Sequence, residues 1–172
     1  MQASRPASDC LIRRATFSDA QAVLRCLHAA FEPYRSQYTE GAFRDTVLDP
    51  VTVHKRLARM SLFVAIAPDG KIVGTIGCEV QPGGSDGHLR GMAVLPQCQG
   101  GRAAAQLLDR AEEELRDGGC SRVTLDTTEP LQRAIRFYEK HGYARTGHVA
   151  DFYGMPLHEF AKNLRSGSRA NL

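Results

Sequence analysis

The stretch from His88 to Leu115 constrains the fold of this chain more than any other. The apolar run His88-Leu89-Arg90-Gly91-Met92-Ala93-Val94-Leu95 is stopped by Pro96. Gln97-Cys98-Gln99-Gly100-Gly101-Arg102 follows, and Ala103-Ala104-Ala105-Gln106-Leu107-Leu108 continues from it. The pattern is a buried strand, a glycine turn and a helix that opens directly out of the turn. Such a turn leaves backbone N–H groups free at the positive end of a helix dipole, and closely spaced glycines let an anion approach the main chain. A phosphate or pyrophosphate is the natural guest, although an ordinary strand-to-helix turn has the same local signature.

The surrounding chain places this unit in one domain. With 172 residues and 42% hydrophobic content, the sequence suits a single core, expected over residues 10–164, with disordered ends at 1–9 and 165–172. Lysine and arginine exceed aspartate and glutamate by three, 22 against 19, and Arg165 and Arg169 in the C-terminal end supply two of that excess. So small an excess does not call for a nucleic-acid or membrane partner. Cys10, Cys26, Cys78, Cys98 and Cys120 are odd in number and scattered, with no metal-ligand spacing, which suits reduced thiols. No segment approaches the roughly 20 apolar residues of a membrane helix, and the start lacks a secretory apolar run. A cytoplasmic protein without a metal is the expectation.

Read in order, Cys10 to Ala15 is a short strand, and Ser18 with Gln21 forms a capping-box pattern ahead of a helix ended by Pro33. Its inner face carries Ala20, Val23, Leu24, Leu27 and Phe31. Residues 32–49 are irregular and tyrosine-bearing, suited to a substrate-side wall, and a helical piece covers about Val51 to Met60. Leu62 to Ala67 and Lys71 to Val80, joined by Pro68-Asp69-Gly70, make a hairpin. Gln81 to Gly87 is a loop leading into the central strand. After the glycine turn, Ala104, Leu107, Leu108, Ala111 and Leu115 face inward, Glu112, Glu113 and Glu114 face largely outward, and Asp117-Gly118-Gly119 ends the helix. Arg122 to Asp126 is a strand parallel to the central one. Thr128 or Glu129 caps a helix from Pro130 that carries Leu131, Ala134, Ile135 and Tyr138 inward. Tyr143 to His148 and Val149 to Phe160 close the domain as strands around Gly154, and exposed edges there allow a homodimer.

This order of elements, together with Met92-Ala93-Val94-Leu95-Pro96, the Gln99-Gly100-Gly101 turn and Ala134-Ile135-Arg136-Phe137-Tyr138-Glu139-Lys140-His141-Gly142-Tyr143, resembles the GCN5-related N-acetyltransferase (GNAT) superfamily. The resemblance spans about residues 10 to 163. It implies an α/β (α+β) fold with a mixed sheet of about six or seven strands, splayed between the fourth and fifth and flanked by about four helices. It also implies acetyl-CoA as cosubstrate. The pyrophosphate would lie on the amides of Gln99, Gly100, Gly101, Arg102, Ala103, Ala104 and Ala105, and the pantetheine arm along Met92, Ala93 and Val94 in the manner of an added strand. Arg102 stands where the family's turn has its first glycine. If that position needs a positive φ, arginine costs on the order of 1 kcal/mol, unless Gly100 and Gly101 take over the role or the guanidinium reaches a phosphate. Leu131 stands where the family often has an asparagine.

Acetyl transfer from a thioester to an amine needs a neutral amine, stabilisation of developing negative charge on oxygen, and a proton for the leaving thiolate. Tyr138 matches the family tyrosine that donates this proton and lies beside the CoA sulfur; its spacing equally suits an inner-face core aromatic. For the general base, His88 begins the central strand and has a suitable ordinary pKa, and Glu79 on the neighbouring strand is the carboxylate alternative. Asp126 and Glu129 stand where they could attract a cationic amine. An acyl-enzyme on Cys98 or Cys78 is the covalent alternative to direct attack. The function class is therefore N-acetyl transfer to a small-molecule or peptide amine, with a CoA-binding protein of little catalytic activity as the alternative. Neither GxGxxG nor a Gly-Lys-Ser/Thr loop is present, which excludes the common mononucleotide folds.

Overall fold

The computed structural model describes residues 9–164, so the readings of the two ends lie outside the described residues except at Asp9. In chain order the elements are β1 (Leu11–Arg14), α1 (Ala20–Phe31), α2 (Glu40–Val47), α3 (Pro50–Arg59), β2 (Ser61–Ile66), β3 (Ile72–Val80), β4 (Asp86–Val94), α4 (Ala103–Asp117), β5 (Arg122–Thr127), α5 (Gln132–Lys140), β6 (Ala144–Phe152) and β7 (Met155–Asn163). The strands form one mixed sheet in the order β1-β2-β3-β4-β5-β7-β6, in which β4 and β5 are the parallel pair.

Helices cover both faces of the sheet at its centre, where β2 and β3 are buried on both sides. On one face α4 buries Leu107, Leu108, Ala111 and Leu115 against Phe63, Ile76, Val123 and Leu125, and Ile135 of α5 joins the same layer. On the other, Val23 and Leu27 of α1 and Val53 of α3 pack on Leu62, Val64 and Ala93. Each fully buried leucine, isoleucine or phenylalanine contributes about 1.5–3 kcal/mol, so these two layers fix the sheet on which the site is built.

Several local readings are corrected. The first helical turn is a 3-10 turn, Phe17–Asp19, closed by a capping box between Thr16 and Asp19 rather than by Ser18. α1 ends at Phe31, ahead of Pro33 as expected, but the chain goes on in a second 3-10 segment, Glu32–Gln37, in whose first turn the missing N–H of Pro33 is not needed. The region read as irregular also holds α2, whose cap is the Thr39 hydroxyl accepting from the Ala42 N–H. Glu112 is buried, not outward: it accepts from the Tyr143 hydroxyl at 2.8 Å and pairs with Lys162 at 2.9 Å. Neither Thr128 nor Glu129 caps α5, whose N-cap is Leu131 without a side-chain hydrogen bond. β6 runs through the break expected at His148, where Thr146, Gly147 and His148 bulge opposite Glu159, and the turn comes at Tyr153 and Gly154.

Two irregularities in β4 prepare the site. Its pairing with β5 runs only from Asp86↔Arg122 to Leu89↔Leu125, so the remaining residues to Val94 present a free edge on that side. On its other side, Thr75 faces Ala93 and Gly77 faces Arg90, which leaves Gly91 and Met92 together opposite Ile76. This bulge turns the strand through Gly91 at φ +61°.

Candidate active site

The fork between β4 and β5 opens into a cavity of about 360 Å³. Met92, Ala93 and Val94 line it from β4, Gln99, Gly100, Gly101 and Ala104 from the turn and the start of α4, and Leu131, Arg133 and Tyr138 from α5 and its N-cap. Tyr38 lines the cavity from the other side, its hydroxyl 2.6 Å from the Thr128 hydroxyl and its ring edge-on to Phe31 and Phe43. The tyrosine-bearing segment is thus a wall of the cavity.

The α4 end of the cavity suits a phosphate. The helix has no side-chain cap, and its first internal hydrogen bond is from the Gln106 N–H to the Arg102 carbonyl at 3.0 Å, so the amides of Gly100 to Ala105 remain available, whereas the Gln99 N–H expected among them donates to the Pro96 carbonyl at 3.3 Å. Gly100 carries the positive φ, +83°, while Arg102 is right-handed at φ −91°. The cost expected for arginine at this position therefore does not arise. The Arg102 side chain turns outward to the Asp9 carboxylate at 2.6 Å. The Gln99 side-chain amide donates to the Val94 carbonyl at 3.0 Å, which ties the turn to the end of β4. Arg133 lies within 3.3 Å of the place a Cβ on Gly100 would take, so a guanidinium faces the turn. Ala103 is part of the core, and Ala105 and Arg102 do not line the cavity; for these three the backbone amide is the group at issue.

Tyr138 is buried, and its hydroxyl donates to Met92 Sδ at 3.3 Å, which sets the phenol against the free edge of β4. Its ring packs edge-on to Tyr143, which the buried Glu112 holds in turn. Burial raises the Tyr138 pKa well above its ordinary 10, so the phenol keeps its proton.

His88 and Asp126 meet across the fork, Nε2 to Oδ2 at 3.5 Å. His88 Nδ1 lies 2.7 Å from the Thr124 hydroxyl, whose own donor bond goes to the Gly87 carbonyl at 3.4 Å. The Thr124 hydroxyl thus fixes the ring through Nδ1, and Nε2 is turned toward Asp126. Burial lowers the imidazole pKa and raises that of Asp126, which also faces Glu159 across β5 and β7, so each group holds its neutral form more readily than in water.

The remaining expected residues stand apart from this cavity. Glu79 pairs with His88 across β3 and β4 but lines a neighbouring cavity. Glu129 is engaged by Arg145 at 3.0 Å and His158 at 3.2 Å. Cys78 is in the core, where burial pushes its thiol up to about 12, and Cys98 does not line the cavity. Sequence reasoning did not single out Arg56, Arg90, Arg133 or Thr127. Thr127 Oγ1 is buried without a hydrogen-bond partner among the described residues, beside the fork. Among the described residues no group of three or more metal-ligating side chains forms, and no helix is long and apolar enough to cross a membrane.

Comparison with known proteins agrees with the geometry. Residues 22–143 match the model of the acetyltransferase (GNAT) family. The chain is 32% identical over 145 residues to an aminoalkylphosphonate N-acetyltransferase of Salmonella typhimurium, spanning 80% of this chain and 86% of that protein. It is 31% identical over 98 residues to an IAA acetyltransferase of Azospirillum brasilense, 57% of this chain and 64% of the relative. In fold it is similar to the PaiA N-acetyltransferase of Thermoplasma acidophilum, solved in complex with coenzyme A, with a TM-score of 0.75 at 17% identity over 91% of this chain and all of that one. The family match covers most of the sheet and the whole phosphate-type turn, and on that ground this chain belongs to the GNAT acetyltransferase family and is an acyltransferase.

Proposed function

We propose that the protein transfers the acetyl group of acetyl-CoA to the primary amine of a small molecule by direct attack in a ternary complex. The observation that carries this reading is the juxtaposition, in one cavity, of an uncapped helix N-terminus, a free strand edge and a buried protonated tyrosine. The amides of Gly100 to Ala105 and Arg133 would hold the pyrophosphate, and the backbone of Met92 to Val94 the pantetheine arm. Acetyl-CoA, when bound, supplies an activated thioester carbonyl.

The chain's own groups then manage protons. As the nitrogen–carbon bond forms, His88 Nε2 takes the proton that the amine sheds, and Asp126 stabilises the resulting imidazolium. As the carbon–sulfur bond breaks, Tyr138 gives its proton to the thiolate, which leaves as CoA thiol. The burial that keeps Tyr138 protonated also makes its phenolate costly, so the phenolate regains a proton from solvent while His88 releases to solvent the one it took from the amine, and both groups return to their starting forms. Core burial of Cys78, and the absence of Cys98 from the cavity lining, favour direct attack over an acyl-enzyme.

The test is thermal unfolding with and without acetyl-CoA, followed by thiol release with a panel of amines. A ligand at about 100 times its Kd adds roughly 2.7 kcal/mol, a shift of several degrees. Amine-dependent thiol release that collapses in Tyr138→Phe is the expected result. Stabilisation without turnover on any amine would overturn the catalytic reading, and no stabilisation would overturn the cosubstrate.

A further inference from the structure

Arg56 on α3 and Arg90 on β4 line both the cavity of Tyr138 and a second cavity of about 450 Å³ beside it. The Arg56 Nη1 lies 2.8 Å from where a Cβ on Gly91 would stand, so the guanidinium fills the space that the bulge glycine leaves open. Gly91 adjoins Met92, which receives the Tyr138 hydroxyl bond, and Arg56 and Tyr138 line the same cavity.

The charge is not spent internally. Lys55 and Arg59 line the second cavity with them, and none of these four cations forms an ion pair among the described residues. Asp45, Asp49 and Glu79 line the second cavity as well, and none is within pairing distance of these four cations. Burial and the neighbouring Arg90 push Arg56 down to about 10, so it stays charged at neutral pH while being held against a like charge. A half-buried guanidinium in that position is stabilised by an incoming anion, and its planar fork matches an oxyanion.

We infer that Arg56, with Arg90, is the acceptor-side subsite for an oxyanion, so the amine acetylated here carries an acidic group a few bonds from its nitrogen. This rests on the transferase reading above and adds the substrate class to it. The amine would lie toward His88 and Asp126 and the acidic group toward α3.

The experiment compares acetyl transfer to amines of similar length: 2-aminoethylphosphonate, β-alanine, n-propylamine and 1,3-diaminopropane, in wild type, Arg56→Gln and Arg56→Lys. Acetyl-CoA stabilisation is measured in every variant as a control for folding and cosubstrate binding. The expected result is a kcat/KM for an acidic amine at least about 10-fold above the neutral one. That preference falls 10- to 100-fold in Arg56→Gln, chiefly through KM, and is partly kept in Arg56→Lys. The phosphonate and carboxylate arms tell which oxyanion is taken. Equal use of neutral amines, or a preference that survives Arg56→Gln, overturns the subsite and leaves the transferase intact. Loss of acetyl-CoA stabilisation in wild type overturns the transferase reading first. If acetyl-CoA binds but no amine is consumed, the acidic amines must still stabilise the wild-type CoA complex and not that of Arg56→Gln; otherwise the subsite is overturned.

Discussion

In the proposed reaction Tyr138 and His88 have opposite tasks, and burial suits each to its own. The phenol is held protonated against Met92, so Tyr138→Phe removes the proton donor while leaving the ring packed between Phe137 and Tyr143. We expect kcat to fall about 100-fold, with a stability change within about 1 kcal/mol, measured by steady-state kinetics and thermal unfolding. The imidazole is shifted the other way, below its ordinary 6.5. The acid limb of kcat/KM should therefore lie below pH 6.5 and be lost in His88→Gln. The sign for stability follows. A His whose folded pKa is depressed contributes stability that is complete above 6.5 and lost as pH falls toward the folded value. The placement of Tyr138 and His88 at the cavity was legible because each combines a family position or a strand end with a titratable group. Arg56 was not, because its closeness to Gly91 depends on how α3 crosses the sheet, which no local spacing encodes.

Elements succeed or fail as units, and two of them expose their dependence on single residues. In β4 the bulge requires Gly91 at φ +61°, and a methyl there would meet the Arg56 guanidinium. Gly91→Ala should cost roughly 1–2 kcal/mol in unfolding free energy and lower activity beyond what that loss explains, because it re-aims Met92. At the start of α1, Asp19 is buried and accepts both guanidinium bonds of Arg13, at 2.7 and 2.9 Å, which holds its carboxyl down to about 2 from 3.8. Its contribution is complete above about 3.8 and lost as pH falls toward 2. Because Arg13 is partly exposed, we expect Asp19→Asn to cost about 1–2 kcal/mol, and to flatten the acid limb of the stability curve in that window. The hairpin of β2 and β3, the strand–turn–helix unit and the amphipathic faces of α1 and α4 were readable because their apolar periods are regular. α2 was not, since Gly41 and Thr46 weaken its propensity, although Thr39 followed by Ala42, Phe43 and Val47 held the signal. Glu112 eluded the pattern because its partners, Tyr143 and Lys162, arrive from 31 and 50 residues away.

At the scale of the molecule, two sub-sheets, β1 to β4 and β5 with β7 and β6, meet along only four paired positions of β4 and β5. The fold class, the element order and the fork were legible from the sequence as a resemblance. The hydrogen bond that ties the start of α2 to the turn between β6 and β7 was not, because the Thr39 hydroxyl reaches the Tyr153 carbonyl at 2.8 Å across 114 residues. The fork has a kinetic consequence. The groups proposed to grip the cosubstrate, the strand edge and the amides of the turn, meet parts of it that are the same before and after the acyl group has gone. The spent carrier should therefore leave slowly and compete with the charged one. Free CoA is expected to inhibit competitively against acetyl-CoA, with an inhibition constant within about 10-fold of the acetyl-CoA dissociation constant, measured by initial rates at fixed amine. An enzyme of this design would follow the ratio of charged to free carrier around it, not the amount of either alone.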